Sequence, residues 1–222
     1  MQWKRERRVF FGWWMVLAVF FILFNAAGTG FYVFPVFISS LQAEFGWSMT
    51  EISAAIAVFA IMMGVASPVV GILIGRFGVR RTMLASGVLA SLGYLGFAAM
   101  QNLWTLYAVL AVSGFVLTGL TMLPAQTLVT NWFDRYRGRA LGLAVLGPAA
   151  GGVLLPPLYE FLIREWGWRF AWVFACIVLW VAVIPLIAIF VRTRPSEMGL
   201  PVDGLAPCGL QQPGPRVARH SF

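Results

Sequence analysis

The sequence predicts an all-α integral membrane protein built as a bundle of six transmembrane helices. Three observations carry this. Across 222 residues the mean hydropathy is +0.84 and only 11% of residues are charged. A soluble domain of this length cannot bury that much apolar surface, so lipid is the expected solvent. The apolar residues gather into six runs, each long enough for the about 20 residues that cross a hydrocarbon core about 30 Å thick. Finally, 14 of the 16 lysines and arginines fall on one side of a six-span chain.

The first run covers residues 10–41. It exceeds one span, so it must tilt, bend or project, and Asn25, Gly28, Gly30 and Pro35 can loosen it. Its basic start, MQWKRERR, resembles a signal peptide, but the apolar run is too long for one and no cleavage site follows; it reads as a retained span. The second run starts near Ser48, three residues before Glu51, the spacing of a capping box. It contains Pro68 and ends in GILIGRFGVRR. The third covers 82–100, and QNLW makes a short turn. The fourth covers 103–130 with Pro124 inside. The fifth covers 140–163 with Pro148, Pro156 and Pro157. The sixth covers 170–191 with Pro185. Prolines are tolerated in spans because neighbouring helices and hydroxyls satisfy the freed carbonyls.

Three regions follow. Residues 1–9 form a basic cytoplasmic N-terminus, residues 10–192 the membrane bundle, and residues 193–222 a polar connection and a tail rich in Pro, Gly and Gln that reads as disordered. Only Arg164 and Arg169 fall opposite the other fourteen basic residues, so both termini are expected in the cytoplasm. The net charge of +8 does not indicate nucleic acid, because the arginines sit at the ends of apolar runs. Cys176, Cys208 and His220 have no metal-ligand spacing, and no catalytic constellation is present. No cofactor or metal is expected, and the chain does not read as an enzyme.

In GILIGRFGVRR, Gly71 and Gly75 share a helix face and suggest close packing of the second and third helices. Gly78 can take a positive φ and turn the chain sharply. This stretch resembles the loop signature G-x-x-x-D-R-x-G-x-R-R of the major facilitator superfamily, matched by Gly71, Arg76, Gly78, Arg80 and Arg81, with Gly75 where the aspartate usually stands. In that family the aspartate and arginines latch the cytoplasmic gate, so its absence puts the latch in doubt. Asp134, in the next cytoplasmic loop, is either a counter-charge to these arginines or a solvated loop residue. FGWWMVLAVFFILF, FPVFISSLQAEFGWSMTEIS, NWFDRYRGRALGLAVLG, LLPPL, GWRFAW and RTRPSEMGLPVDG together resemble, over residues 10 to about 204, the prokaryotic monocarboxylate-transporter-like branch, which includes oxalate/formate-type antiporters. The resemblance implies the amino-terminal six-helix bundle of the major facilitator fold. GPAAGG, with Gly147, Pro148, Gly151 and Gly152, also resembles the core of a fifth-helix motif of proton-coupled drug antiporters; ordinary small-residue packing is the other reading.

In this family the first and fourth helices line a midplane cavity between two halves. Asn25, Thr29 and Tyr32 are spaced to share one face of the first helix, Thr118 and Thr121 one face of the fourth, with Gln126 deeper toward the cytoplasm. These uncharged groups can hydrogen-bond a carboxylate, or instead join neighbouring helices. No charged residue lies in 9–43, 82–133, 140–159 or 170–191, so the spans offer no proton relay. The family's first-helix basic residue aligns with Phe31, and its fourth-helix arginine is absent. The expected function is that of a half-length secondary transporter of small organic anions such as monocarboxylates, working by alternating access. The alternatives are a proton-coupled antiporter of other small molecules and a non-transporting, truncated membrane protein. Its expected partners are the lipid bilayer, a small organic solute, and either a missing carboxy-terminal half or a second copy, in a bacterial inner membrane.

Overall fold

The structure, a computed structural model, describes residues 11–192, with side chains from Gly12 onward. All regular structure among these residues is helical and forms six rods in the predicted order. Helix α1 runs as Phe11–Ala27, a π-helical turn Gly28–Val33 and Phe34–Phe45. Helix α2 is Met49–Phe77 and α3 is Val79–Ala98. Helix α4 is Leu103–Thr118 followed by Met122–Trp132. Helix α5 is Arg137–Trp166, and α6 is Trp168–Val178, a π turn Leu179–Val183 and Ile184–Phe190. By length and composition α1, α2, α4, α5 and α6 are apolar enough to cross a membrane. The shorter α3 carries Arg80 and Arg81 in its first turn, yet its 20 residues rise about 30 Å, one hydrocarbon thickness.

Prolines explain the three interruptions. A proline ring collides with the carbonyl four residues earlier and offers no N–H. For Pro35 that carbonyl belongs to Phe31, inside the first π turn; for Pro185 it belongs to Val181, inside the second. A π turn bonds i to i+5, and its greater width accommodates the ring. For Pro124 the carbonyl is that of Leu120, inside the break at 119–121. Helices α2 and α5 continue through Pro68, Pro148, Pro156 and Pro157.

The helix starts follow local chemistry. Ser48 and Glu51 close the expected capping box, with the Ser48 N–H donating to Glu51 Oε2 at 2.8 Å. A second box, unforeseen, joins Asn102 and Thr105. Two connections are a single glycine long. Gly78 (φ 82°, ψ 158°) joins α2 to α3, and Gly167 (φ 84°, ψ 160°) joins α5 to α6. Side chains rarely adopt this backbone region, so both positions require glycine.

The close helix pairs differ from the expected one. A Cβ added at Gly71 or Gly75 would meet nothing within 4 Å, so these glycines do not join α2 to α3. Instead, a Cβ at Gly147 or Gly151 of α5 would collide with the carbonyl oxygen of Phe20 or Phe24 on α1, and one at Gly114 of α4 with that of Phe59 on α2. The core therefore sits between the pairs α1–α5 and α2–α4, closed on the outside by α3 and α6. At the end opposite the basic face, Trp172 of α6 stacks on Phe37 of α1 (4.6 Å between ring centroids) and on Phe97 of α3 (4.3 Å). Stacked pairs contribute about 0.5–1.5 kcal/mol beyond area burial.

Candidate functional site: the open faces of α1, α4 and α5

The uncharged polar residues expected in a cavity divide into two sets. Asn25, Thr29, Thr118 and Thr121 are buried inside the bundle, Thr29 completely. Tyr32 is 48% exposed, and Gln126 is exposed. Asn25, Thr29 and Tyr32 therefore do not share one face. Within the π turn the inward position after Thr29 falls to fully buried Val33, four residues on, and Tyr32 points outward.

The Thr118 hydroxyl is engaged by its own helix, donating to the Gly114 carbonyl at 3.0 Å. Asn25 Oδ1 is buried without a hydrogen-bond partner among the described residues, an arrangement that costs free energy unless a neighbour satisfies it, whereas Thr29 Oγ1 lies beside the Tyr159 hydroxyl. Tyr32 turns out over α5, where its ring carbons lie 3.0–3.2 Å from the position a Cβ on Gly152 would take. The last glycine of GPAAGG thus makes a flat seat for the Tyr32 ring, while Gly147 and Gly151 admit the α1 backbone. Phe31, aligned with the family's basic residue, is half-exposed and packs edge-on against Phe59 of α2, with ring centroids 5.7 Å apart. The open face offers a phenol, an amide and aromatic edges, and no charge at mid-depth.

On the basic face, Arg80 and Arg81 lie within the first turn of α3 rather than in a loop. Positive charge there opposes the helix dipole. Arg80 offsets this by donating from its guanidinium to the carbonyl of Ala188, in the last turn of α6, where backbone acceptors lack helical partners. Trp132 Nε1 likewise donates to the Arg192 carbonyl at 2.9 Å. Arg76 and Asp134 are exposed. On the opposite face Glu44 at the end of α1 accepts from Trp168 Nε1 and from Arg169 (2.6 Å), and the Arg169 guanidinium lies 4.3 Å from the Trp168 ring centre. Sequence reasoning missed this clamp; the one signal for it was a lone carboxylate ending a long apolar run.

The family model of the Major Facilitator Superfamily matches residues 9–213. The chain belongs to that superfamily. Among solved structures, this facilitator bundle is similar to a bacterial homolog of the human lysosomal transporter Spinster, crystallised inward-facing and unoccupied. The TM-score is 0.68 at 17% identity, over 83% of this chain and 44% of that one, which shows a shared fold. The facilitator chain is 37% identical to monocarboxylate transporter 6 of Homo sapiens over 138 residues, 60% of this chain and 26% of that protein. It is 29% identical to monocarboxylate transporter 4 of Rattus norvegicus over 218 residues, 93% of this chain and 43% of that protein. Monocarboxylate transporter 3 of Mus musculus is 34% identical over 71% of this chain and 32% of its own length. The chain thus spans less than half the length of these relatives.

Proposed function

We propose that this chain is the amino-terminal half of a secondary transporter of small organic anions, monocarboxylates in particular. The two halves would rock about a site between them to give alternating access. The carrying observation is the similarity to a monocarboxylate transporter over 93% of the chain, through all six helices. The open faces support it. Gly64, Gly71 and Gly75 on α2, and Gly138 and Gly142 on α5, have nothing among the described residues within 4 Å of a Cβ position, so another helix can approach these backbones closely. The partner is a second six-helix bundle, supplied by a further polypeptide segment or by a second copy. Tyr32, seated on Gly152 and open to the missing side, is the residue of α1 that we place against substrate.

The test is a fusion of residues 1–192 to the carboxy-terminal six helices of a monocarboxylate transporter, reconstituted in liposomes. Lactate uptake should saturate, and Tyr32→Ala should lower it at least tenfold without reducing the amount inserted. A correctly inserted fusion that binds and moves no monocarboxylate counts against the substrate class.

We further place both termini in the cytoplasm, in the cytoplasmic membrane of a prokaryote, from the distribution of basic residues and the branch that the sequence motifs resemble. The expected basic N-terminus at 1–9 and the expected connection and tail at 193–222 lie outside the described residues. A reporter active only outside the cytoplasm, fused after Phe222, should remain silent. Strong activity there means an odd number of spans.

A further inference from the structure

On α2, the residues Val70, Leu73 and Phe77 line a groove that continues along α3 past Arg81, Ala85 and Leu89 and is closed by Phe115 of α4. Its volume is about 300 Å³, at the lower end of cavities that hold small ligands. At about 100° per residue, the α2 residues of this groove lie nearly opposite Gly64, Gly71 and Gly75, so a second bundle docking on the glycine face leaves the groove open. The groove exists because α3 has small side chains, Ala85 and Ser86, between the bulkier Arg81 and Leu89. It runs eight residues along α3, about 12 Å, from the basic face toward the membrane centre.

Charge is confined to one end. Arg81 is exposed at the mouth, and it makes no ion pair among the described residues. The Thr82 hydroxyl beside it is already donated to the Gly78 carbonyl at 3.0 Å. The guanidinium is therefore the group at the mouth that is free to recognise a ligand, and it recognises an anion. Behind it the walls are apolar. A free soluble anion would leave that apolar length unused, whereas an amphiphile fills both parts. We propose that this groove binds one anionic phospholipid, its phosphate on Arg81 and one acyl chain along Ala85 and Leu89. The surrounding field favours the same sign, since Arg76, Arg80, Arg137 and Arg139 lie at the same membrane surface.

The test uses the full chain in detergent, titrated with dioleoylphosphatidylglycerol or dioleoylphosphatidylcholine and read by native mass spectrometry. The wild-type chain should retain one phosphatidylglycerol about fivefold more tightly than phosphatidylcholine, the factor that one interfacial arginine supplies. Arg81→Gln should abolish that preference by weakening phosphatidylglycerol more than phosphatidylcholine, whose choline already offsets its phosphate charge. Ala85→Phe, which fills the groove, should weaken both lipids; helix content by circular dichroism confirms that each variant is folded. Equal retention of the two lipids by the wild-type chain overturns the proposal. So does a preference that survives Arg81→Gln, or retention unchanged in a folded Ala85→Phe.

Discussion

Purified chain in proteoliposomes is expected to show no saturable uptake of lactate, formate or oxalate, with or without a proton gradient. A carboxylate brought to mid-membrane loses its water, and the lower estimates for an uncompensated charge there are about 2.5–3.5 kcal/mol. Between the charged ends of each helix the chain holds no charged residue: none in 9–43, 52–75, 82–133, 140–159 or 170–191. Of the expected cavity residues, α1 and α4 present outward only Tyr32 and Gln126, and a neutral hydrogen bond contributes about 1 kcal/mol net. Burial removes most of the other candidates, because Asn25, Thr29, Thr118 and Thr121 lie inside the bundle. A lone bundle also has nothing to rock against. Saturable uptake that is lost in Tyr32→Leu would overturn this expectation and mean that two copies complete the pathway.

The second large effect is expected where α5 meets α1. A Cβ at Gly151 would strike the Phe24 carbonyl and lie 3.2 Å from the Gly28 Cα; one at Gly147 would strike the Phe20 carbonyl. Neither obstacle is a flexible side-chain tip, so the helices must separate. In lipid, helix association relies on close packing, because the tails are as apolar as the side chains. Gly151→Val should destabilise the bundle by about 1–3 kcal/mol, the cost of an overpacked core, and the double variant with Gly147→Val by more. Gly71→Val and Gly75→Val, in open space, should stay within about 0.5 kcal/mol. Detergent unfolding followed by circular dichroism measures both sets. Equal losses from the two pairs would mean that the α1–α5 contact does not hold the bundle together.

These two glycine pairs also mark how far the sequence could be read. Gly71/Gly75 and Gly147/Gly151 have the same spacing, so periodicity gives them the same meaning; only the partner backbone, distant in sequence, separates them. The six helices were legible because each is specified by its own composition, as were the Ser48–Glu51 box and the turn at Gly78, which depend on neighbours along the chain. The Arg80–Ala188 bond, the Glu44–Arg169 clamp and the stacking on Trp172 join residues more than fifty positions apart, and no local pattern announces them. The face of α1 was misjudged for a subtler reason. Pro35 reads in sequence as a point of loosening, but its consequence, an added residue in the turn before it, shifts the later positions and is visible only in the structure.

That shift changes what a residue number means along α1. The buried positions Val19, Ile22, Ala26 and Thr29 follow ordinary helical intervals, and from the π turn onward the series runs in four-residue steps through Val33, Phe37 and Leu41, so that by Leu41 it stands one place later than an unbroken helix would put it. The turn absorbs a single inserted residue without rotating the outer half, because the excess is held in the wide i to i+5 loop. A homologous chain one residue shorter between positions 28 and 33 would build the same wall from an unbroken α-helix. By contrast, the same deletion in the uninterrupted α2 would rotate everything beyond it by about 100°. Length variation is thus cheap at a π turn, at Gly28–Val33 and equally at Leu179–Val183 in α6, where the outer part of the helix keeps its contacts.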